Sequence, residues 1–267
     1  MRTDSNFNDD ALQRLSACIN GTMSNRDSCK TIDVVILCGG LGKRLGKIAG
    51  RVPKPMIKIG KKPFLDILVG HVASFGFKRF VLCTGYKADV IERYYRNRRL
   101  GDKEIVFSRE RNPLGTGGAV KHARSVIRSD NFLVLNGDSY LRVDFKNFLS
   151  FHINRKALIS MVITTARETS DYGVVRKNDS HRITGFKEKA KEDKGNYISG
   201  GIYLFRRNIF SLMPKTQRFS LEEDFFPRII KGKEIYGYIV RGKLIDIGTP
   251  KRYRYAADSY FQNRQRL

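Results

Sequence analysis

The sequence predicts an α/β fold in which one mixed, mostly parallel sheet is flanked by helices. Short apolar runs alternate with amphipathic segments in the first half of the chain, and strand-like runs dominate after residue 150. Such alternation favours a parallel sheet covered by helices, because the connection between parallel strands usually carries a helix. No linker rich in proline or glycine and no internal repeat divides the chain, so we expect a single domain.

The predicted elements follow from the spacing of apolar residues. The run 34–37 stops at glycine and predicts a buried strand, whereas 64–77 has helical spacing and predicts a helix. The other elements predicted before residue 136 are strands at 79–85, 104–108 and 131–135 and helices at 87–96 and 117–127. Those predicted after residue 150 are strands at 158–165, 173–177, 182–189, 197–205 and 235–240 and helices at 207–212, 221–231 and 250–262. Ligands of such sheets bind at the carboxyl ends of the strands.

The chain carries a large excess of positive charge. Its 267 residues include 51 Lys and Arg against 26 Asp and Glu, a formal net charge of +25, while the first 30 residues sum to zero. Such a field attracts nucleotides, sugar phosphates, nucleic acid or an acidic membrane face, although a solvated lysine-rich surface also accounts for it. We predict a flexible N-terminal extension over 1–30, with a short helix near 11–18, and one domain over 31–267.

Composition argues against a membrane span, a targeting segment and a zinc site. No stretch approaches the roughly 20 apolar residues of a spanning helix, and the N-terminus lacks the apolar core of a signal peptide. The four cysteines form no CxxC pair, and the four histidines are scattered. A reduced protein of the cytoplasm is the simplest expectation.

A glycine-rich segment followed by cations, CGGLGKRLGKIAGRVPKPM over 38–56, is the most informative stretch. Bare backbone amides after a strand suit phosphate oxygens. Arg44 can fork onto a phosphate, and Lys54 lies between two prolines that stiffen its backbone. The segment matches neither the P-loop pattern GxxxxGK[ST] nor the dinucleotide pattern GxGxxG. A tight turn alone leaves Arg44 and the Pro-Lys-Pro segment unexplained.

These motifs carry a resemblance to a known family. CGGLGKRL followed by VPKPMIKI resembles the signature of the sugar-1-phosphate nucleotidyltransferases, which is AGGxGTRL and, after a short gap, PKPM. The motifs that continue the resemblance in order are LGTGGA (114–119), NGDS (136–139), DYGVV (171–175), FKEK (186–189), GGIYLF (200–205) and DIGTP (246–250). FSLEEDFFP (219–227) and a short chain without a carboxy-terminal repeat domain most resemble the D-glycero-D-manno-heptose 1-phosphate guanylyltransferases.

The resemblance implies a Rossmann-like nucleotidyltransferase fold of the GT-A-like kind, and a defined reaction. A sugar 1-phosphate would attack the α-phosphorus of a nucleoside triphosphate and release pyrophosphate. Because the nucleophile is already an anion, catalysis would rest on positioning and charge neutralisation, with Mg²⁺ bridging phosphate oxygens. GTP and D-glycero-D-manno-heptose 1-phosphate are the expected substrates, and the product would be a nucleotide sugar for surface polysaccharide.

The resemblance also assigns roles to individual residues. Arg44, Lys54 and Asp138 would be catalytic, and Asp138 and Asp246 would hold the metal. Asn-Gly-Asp is also a common turn sequence, but each aspartate occurs in its own matching motif. The residues expected to contact the nucleotide are Leu37, Gly39, Gly40, Gly42, Lys43, Gly117 and Gly118. Those expected to contact the sugar phosphate are Gly173, Glu188, Lys189 and Gly200.

Three positions depart from the family pattern. Lys43 stands where Thr or Ser usually precedes the arginine, Cys38 replaces the alanine before the double glycine, and Ala190 replaces the proline that ends the FxEKP pattern. Lys43 adds a cation beside the phosphates and is the one catalytic-loop feature that supports an inactive, regulatory relative. Cys38 is expected to be a small buried filler, because no base for a reactive thiol is evident.

Other functions stay open at this point. Uridylyl, thymidylyl or cytidylyl transfer to a hexose 1-phosphate, or guanylyl transfer to mannose 1-phosphate, would need only different loop contacts. Nucleic-acid binding is another alternative, with RYYRNRR at 93–99 as a stacking patch, although no nucleic-acid module is visible. The expected partners are therefore the NTP and the sugar 1-phosphate, without nucleic acid or a membrane span, and with a homo-oligomer left open.

Overall fold

A mixed sheet forms the centre of the computed structural model, which describes residues 29–40, 42–48, 52–98, 100–165, 171–188 and 197–260. In chain order, its strands and those of two small sheets are β1 Asp33–Leu37, β2 Lys58–Ile59, β3 Lys62–Pro63, β4 Arg79–Thr84, β5 Glu104–Arg109, β6 Asn131–Asn136, β7 Ser139–Tyr140, β8 Ile159–Thr164, β9 Gly173–Lys177, β10 Ile183–Glu188, β11 Tyr197–Arg206, β12 Ile235–Ile239 and β13 Ile245–Asp246. The α-helices are α1 Phe64–Ala73, α2 Ala88–Arg96, α3 Gly115–His122, α4 Phe145–Asn154, α5 Phe226–Ile229 and α6 Pro250–Tyr255. Among these residues every helix is too short or too polar to cross a lipid bilayer.

The large sheet has a parallel half and an antiparallel half. β6, β1, β4 and β5 are parallel neighbours, so Leu37 at the end of β1 lies between Asn136 and Cys83. β11 pairs antiparallel with β6, β8 and β9, while β10 extends the sheet beyond β9 and β12 lies parallel to β8. The predicted mixed sheet flanked by helices is confirmed. The predicted helix at 11–18 lies outside the described residues, and the domain boundary at residue 30 stays a prediction.

β1 is buried on both faces, which explains its unbroken apolar sequence. Because successive side chains of a strand point to opposite faces, Val35 packs with Val81 and Val134 on one side of the sheet. Val34 and Ile36 pack on the other side with apolar residues of α1, α2 and α4. The sheet therefore has a hydrophobic core on each face, and its strand ends are held rigidly.

The cysteines of the described chain are free and buried. Burial raises the pKa of the Cys38 thiol well above its ordinary value and that of Cys83 to about 12. The thiolate is the reactive form of cysteine, so both side chains stay protonated and unreactive at neutral pH. Cys38 thus has the filler role that the sequence predicts.

Helix α4 is a long element of the described chain that the sequence patterns above do not assign. Asp144 caps it, because its Oδ1 accepts hydrogen bonds from the backbone N–H groups two and three residues further on, both at 3.0 Å. Its buried residues include Phe145, Phe148 and Leu149, which have helical spacing. The predicted helix at 221–231 is instead a π-helical turn, Leu221–Phe225, followed by the short α5.

His152 on α4 is a buried polar residue that couples stability to pH. It is 1% exposed, and its ring nitrogens lie 2.8 Å from Ser160 Oγ and 3.2 Å from Asn131 Oδ1. Burial, with a smaller contribution from Arg206, lowers the pKa of His152 to about 3. The unfolded chain therefore binds a proton near pH 6.5 that the folded protein does not bind, and stability falls as pH decreases from 6.5 toward 3.

We expect the free energy of unfolding to decrease by about 2 kcal/mol between pH 7.5 and 5 through this histidine alone. Denaturant titrations at several pH values check this. The His152→Gln variant should be less stable at pH 7.5 and should lose that part of the pH dependence, whereas His122→Gln, at an exposed position, should retain it. An equal pH dependence in wild type and His152→Gln would contradict the assignment.

Candidate functional site

The ends of two central strands bring the glycine loop and Asp138 to one edge of the sheet. β1 and β6 are parallel neighbours, and the backbone N–H of Gly137 donates to Leu37 O at 3.0 Å. A Cβ on Gly137 would overlap that carbonyl oxygen, so the close approach requires glycine. The residues after Leu37 and the carboxylate of Asp138 therefore lie together at the carboxyl edge, as the sequence predicts.

Lys54 is directed at Asp138 by a short turn. A 3-10 turn spans Lys54–Met56 after the extended Pro53, and the Lys54 side chain is 10% exposed. Its Nζ forms an ion pair and hydrogen bond with Asp138 Oδ2. A buried cation needs such a partner, because an unpaired charge out of water costs several kcal/mol. The two predicted catalytic residues are thus in direct contact.

Asp246 reaches the same place through a second pair of strands. β13 runs antiparallel to β7 with Asp246 opposite Ser139, and the N–H of Ile247 donates to Asp138 O at 3.0 Å. The Asp246 carboxylate accepts hydrogen bonds from Tyr172 OH at 2.7 Å and from Gly248 N at 2.8 Å. Burial and the bond to Asp246 raise the pKa of the Tyr172 hydroxyl, so it remains a donor at neutral pH.

Gly248 marks the point where the predicted charged residues converge. A Cβ at this position would stand 2.8 Å from Asp246 Oδ1, 3.4 Å from Lys54 Nζ and 3.7 Å from an Arg44 terminal nitrogen. Arg44 comes from the 3-10 segment Lys43–Ile48 after the glycine loop. The structure therefore brings Arg44, Lys54, Asp138 and Asp246 together around one small volume.

A cavity of about 440 Å³ opens beside these residues. Three cations and six carboxylates line it within the described chain. The cations are Arg44, Lys54 and Arg252, and the acids are Asp138, Asp171, Asp246, Glu188, Glu222 and Glu223. Its lining is therefore acidic, although the whole protein is strongly basic.

Glycines of the antiparallel half shape the other wall of the cavity. Gly200 lies where β11 bulges between Ser199 and Tyr203, and Gly201 has φ +66°, which favours glycine. A Cβ on Gly173 would overlap the ring of Phe186 and stand 2.9 Å from Glu188 Oε2. Gly173, Glu188 and Gly200 all line the cavity, whereas Lys189 lies outside the described residues, and contact of these four with a sugar phosphate stays a prediction.

Gly117 and Gly118 have a packing role that the sequence did not reveal. Their backbone N–H groups both donate to Phe219 O, at 3.0 and 3.1 Å. A Cβ on Gly117 would overlap the Phe219 ring, and one on Gly118 would overlap Gln217 O. Neither residue lines the cavity, although Gly115 and Thr116 do. Contact of Gly117 and Gly118 with a nucleotide stays a prediction, as it does for Leu37, Gly39, Gly40, Gly42 and Lys43.

The sequence does not predict the roles of two glutamates near the site, Glu110 and Glu222. Glu110 follows β5 at the same sheet edge, and its Oε1 would stand 2.6 Å from a Cβ on Gly39 and 2.5 Å from one on Gly85. Burial raises the pKa of the Glu110 carboxyl. Glu222 accepts hydrogen bonds from Thr116 Oγ1 at 2.5 Å and from Tyr203 OH at 3.3 Å. The position of Glu110 directly after a predicted strand is the signal that would have found it.

Comparison with known proteins identifies the family. The model of the nucleotidyl transferase family matches residues 33–263 of this chain. The chain belongs to this family. Residues 1–30, predicted as an extension, precede the matched region, and the predicted relationship is confirmed.

Two relatives and one solved structure are similar to this nucleotidyltransferase over most of its chain. A D-glycero-α-D-manno-heptose 1-phosphate guanylyltransferase of Aneurinibacillus thermoaerophilus is 39% identical over 84% of this chain and 96% of its own length. A mannose-1-phosphate guanylyltransferase of Mycobacterium tuberculosis is 31% identical over 83% of this chain, which spans 62% of that relative. HddC of Yersinia pseudotuberculosis, solved in complex with GMP-PN, has a TM-score of 0.74 at 31% identity and covers 85% of this chain and 98% of its own.

The packing role of Gly118 gives a stability prediction. Gly118→Ala should lower the free energy of unfolding by about 1–3 kcal/mol, because the added methyl group overlaps a backbone oxygen that side-chain motion cannot move. Gly70→Ala is the matched control, since Gly70 lies in α1 with nothing within 4 Å of the added Cβ, and should stabilise by up to about 1 kcal/mol. Thermal or denaturant unfolding of both variants measures these changes. A Gly118→Ala variant as stable as the wild type would refute the packing role of Gly118.

Proposed function

We propose that this nucleotidyltransferase transfers GMP from GTP to D-glycero-D-manno-heptose 1-phosphate, giving GDP-heptose and pyrophosphate. The observation that carries the reaction type is the convergence of Arg44, Lys54, Asp138 and Asp246 around Gly248. The choice of substrates is supported by the guanylyltransferase of A. thermoaerophilus, which is similar over nearly its whole length. The chain is also similar to the mannose-1-phosphate guanylyltransferase of M. tuberculosis. Mannose 1-phosphate is therefore the competing acceptor to test.

The residues of the site suit a reaction between two anions. An oxygen of the sugar phosphate attacks the α-phosphorus, a new P–O bond forms, and the bond to the pyrophosphate leaving group breaks. No proton has to be removed from the nucleophile, so the protein must mainly position the two substrates and offset their charge. Arg44 and Lys54 would donate to phosphate oxygens at the α-phosphate, and the Lys54 turn holds its ammonium in place.

The donor set fits Mg²⁺. Among the described residues no group of three or more His, Cys, Asp or Glu side chains is arranged to hold a metal ion alone. Magnesium typically binds through one or two carboxylates, with water and substrate phosphates completing its shell. Asp138 and Asp246, held together by β7 and β13, would supply those carboxylates. When bound, the ion would act as a Lewis acid on phosphate oxygens.

The acidity of the cavity also supports a need for a divalent cation. Six carboxylates against three cations would repel a triphosphate and a sugar phosphate. A divalent cation that enters with the nucleotide would offset this repulsion. The carboxylates that hold no metal, such as Glu188 and Glu222, are acceptors suited to sugar hydroxyls, and they lie near the glycines that leave room for a ring.

Glu110 supports the choice of guanine. The Watson–Crick edge of guanine presents two adjacent N–H donors, and a carboxylate accepts both. Glu110 holds its Oε1 against Gly39 and Gly85, next to the loop expected to contact the nucleotide. Uracil and thymine present a single donor between two acceptors and would match an amide better than a carboxylate.

Pyrophosphate release tests the reaction. With Mg²⁺, GTP and D-glycero-D-manno-heptose 1-phosphate should give pyrophosphate and GDP-heptose, and removal of metal by EDTA should abolish the activity until Mg²⁺ is restored. Asp138→Asn and Lys54→Met should each lower kcat at least about a hundredfold, because each removes a group that contacts the reacting phosphates or their metal. Arg254→Ser, an exposed cation on α6, is the charge-matched control for Lys54→Met.

The outcome also separates the competing substrates. If pyrophosphate is released with mannose 1-phosphate in preference to heptose 1-phosphate, the proposed mechanism stands and the acceptor is mannose 1-phosphate. The proposal would be refuted if folded protein released no pyrophosphate with any combination of substrates. The nucleotides to test are GTP, CTP, UTP, dTTP and ATP, and the acceptors are heptose, mannose and glucose 1-phosphate.

The base preference has a test of its own. Glu110→Gln should lower kcat/KM for GTP about ten- to a hundredfold, because the amide accepts only one of the two guanine N–H bonds. The same variant should leave the weaker activity with UTP unchanged or raise it. A GTP-to-UTP ratio equal to that of the wild type would show that Glu110 does not read the base.

A further inference from the structure

A second cavity, of about 730 Å³, lies between the end of β5, helix α3 and the segment 207–217. It shares no lining residue with the first cavity. Helix α3 connects the two, because it begins with Gly115 and Thr116 at the first and ends with Lys121 and His122 at the second. The proposed reaction uses one residue of its lining, Glu110, and assigns no role to the others.

The lining of the second cavity is strongly basic. Its cations are Arg109, Arg111, Lys121, Arg124 and Arg207, and its acid is Glu110. Arg109 is paired, with its guanidinium 2.8 Å from Asp89 Oδ1. Within the described part of the chain, the other four cations form no ion pair with a carboxylate. Among the described residues of this lining, four positive charges without an ion-pair partner therefore stand against one carboxylate, that of Glu110.

Neutral groups hold several of these cations in place. Lys121 Nζ donates to three backbone oxygens, those of Pro214 at 2.5 Å, Lys215 at 3.1 Å and Thr216 at 3.3 Å. Arg207 donates one N–H to Ile127 O, and the Arg124 guanidinium lies 5.7 Å from the centre of the Phe210 ring. Such contacts fix the position of a charge without cancelling it. Arginine has five N–H donors, so most donors of Arg207 stay available.

Glu110 does not neutralise this cluster. Its Oε2 accepts from Leu114 N at 3.2 Å, and its Oε1 faces Gly39 and Gly85 on the side of the glycine loop. Oε2 is therefore hydrogen-bonded to the backbone, Oε1 lies on the side of the glycine loop, and neither forms an ion pair with the four cations among the described residues. The cavity also offers amide and hydroxyl groups from Asn112, Gln217 and Ser125.

We propose that the second cavity binds a small anion with two or more phosphate groups. The volume lies in the range of small-molecule sites, which is roughly 300–1,000 Å³. Arg111 and Arg124 are exposed and can fork onto phosphate oxygens, while Lys121 and Arg207 supply fixed charge from the walls. Inorganic pyrophosphate and the phosphate chain of a nucleotide share this chemistry.

The surface favours a small anion over nucleic acid. A single-strand site needs exposed aromatic rings on which bases stack. In the patch 93–98, Tyr95 is buried, Tyr94 OH donates to Asp66 at 2.6 Å, and Arg98 pairs with the same carboxylate at 2.5 Å. Among the described residues that line the second cavity there is an imidazole but no Phe, Tyr or Trp.

Calorimetric titration of the full chain without added metal tests the proposal. Pyrophosphate and GTP are titrated separately, with inorganic phosphate as the weaker probe that carries a single phosphate group. The double variant Arg111→Ser/Arg124→Ser should weaken binding of at least one of the first two by about tenfold, the loss expected for charge-assisted hydrogen bonds. The same comparison is made in the Lys54→Met background, which weakens phosphate binding at the first cavity, and the loss caused by Arg111→Ser/Arg124→Ser should persist there within about twofold. The ligand whose binding the Arg111→Ser/Arg124→Ser variant weakens more identifies the source of the phosphates.

A matched control separates a site from general surface charge. Lys231→Ser/Arg254→Ser also removes two positive charges from exposed positions and should leave binding unchanged. Equal weakening by both double variants, no effect of Arg111→Ser/Arg124→Ser, or loss of binding only in Lys54→Met would overturn the proposal. Tighter binding of a short single-stranded RNA, lost in the same double variant, would also overturn it. Because no turnover is measured, the result does not depend on the proposed reaction.

Discussion

The ion pair between Lys54 and Asp138 is the contact on which the geometry of the site depends. It joins the turn at Pro53–Lys54–Pro55 to the end of β6, and Lys54 is almost fully buried. The Asp138 side chain is 40% exposed, but its loss would leave the buried Lys54 ammonium without its partner, which favours keeping both segments together. The backbone bond from Ile247 to Asp138 then places Asp246 beside them. Three distant parts of the chain thereby meet at one point.

The distribution of charge explains how a basic protein can contain an acidic reaction cavity. The net charge of +25 raises the local concentration of anions around the molecule, and this effect is long-range and sensitive to salt. The carboxylates inside the cavity act at short range and favour the entry of cations with the substrates. Four cations that form no ion pair with a carboxylate of the described chain lie instead around the far end of α3. The two cavities thus differ in charge although one short helix connects them.

Much of the site could be predicted from local sequence, and the rest depends on contacts between distant residues. Arg44, Lys54, Asp138 and Asp246 lie in short motifs, and the alternation of strands and helices places their segments at one edge of a sheet. Glu110 lies in no motif, and Glu222 lies in FSLEEDFFP without an assigned role, because their roles arise only when β5 and the 219–225 segment come near the glycine loop and Thr116. The two-residue strands β7 and β13 are too short for apolar periodicity to indicate them. The sequence predicts Gly117 and Gly118 as nucleotide-contacting residues, but only the three-dimensional structure shows that they pack on residues 217–219.

Strand β11 determines the order in which this chain can complete its fold during synthesis. It is the partner shared by β6, β8 and β9, so it closes the gap between the parallel and antiparallel halves of the sheet. Until its residues leave the ribosome, β6 and β8 each keep an unpaired edge, and such edges are sites of aggregation. The contacts that β11 makes are distant in sequence, which slows their formation. Chaperone capture should therefore be greatest for nascent chains whose β11, Tyr197–Arg206, is still inside the ribosome, and should fall once β11 has emerged.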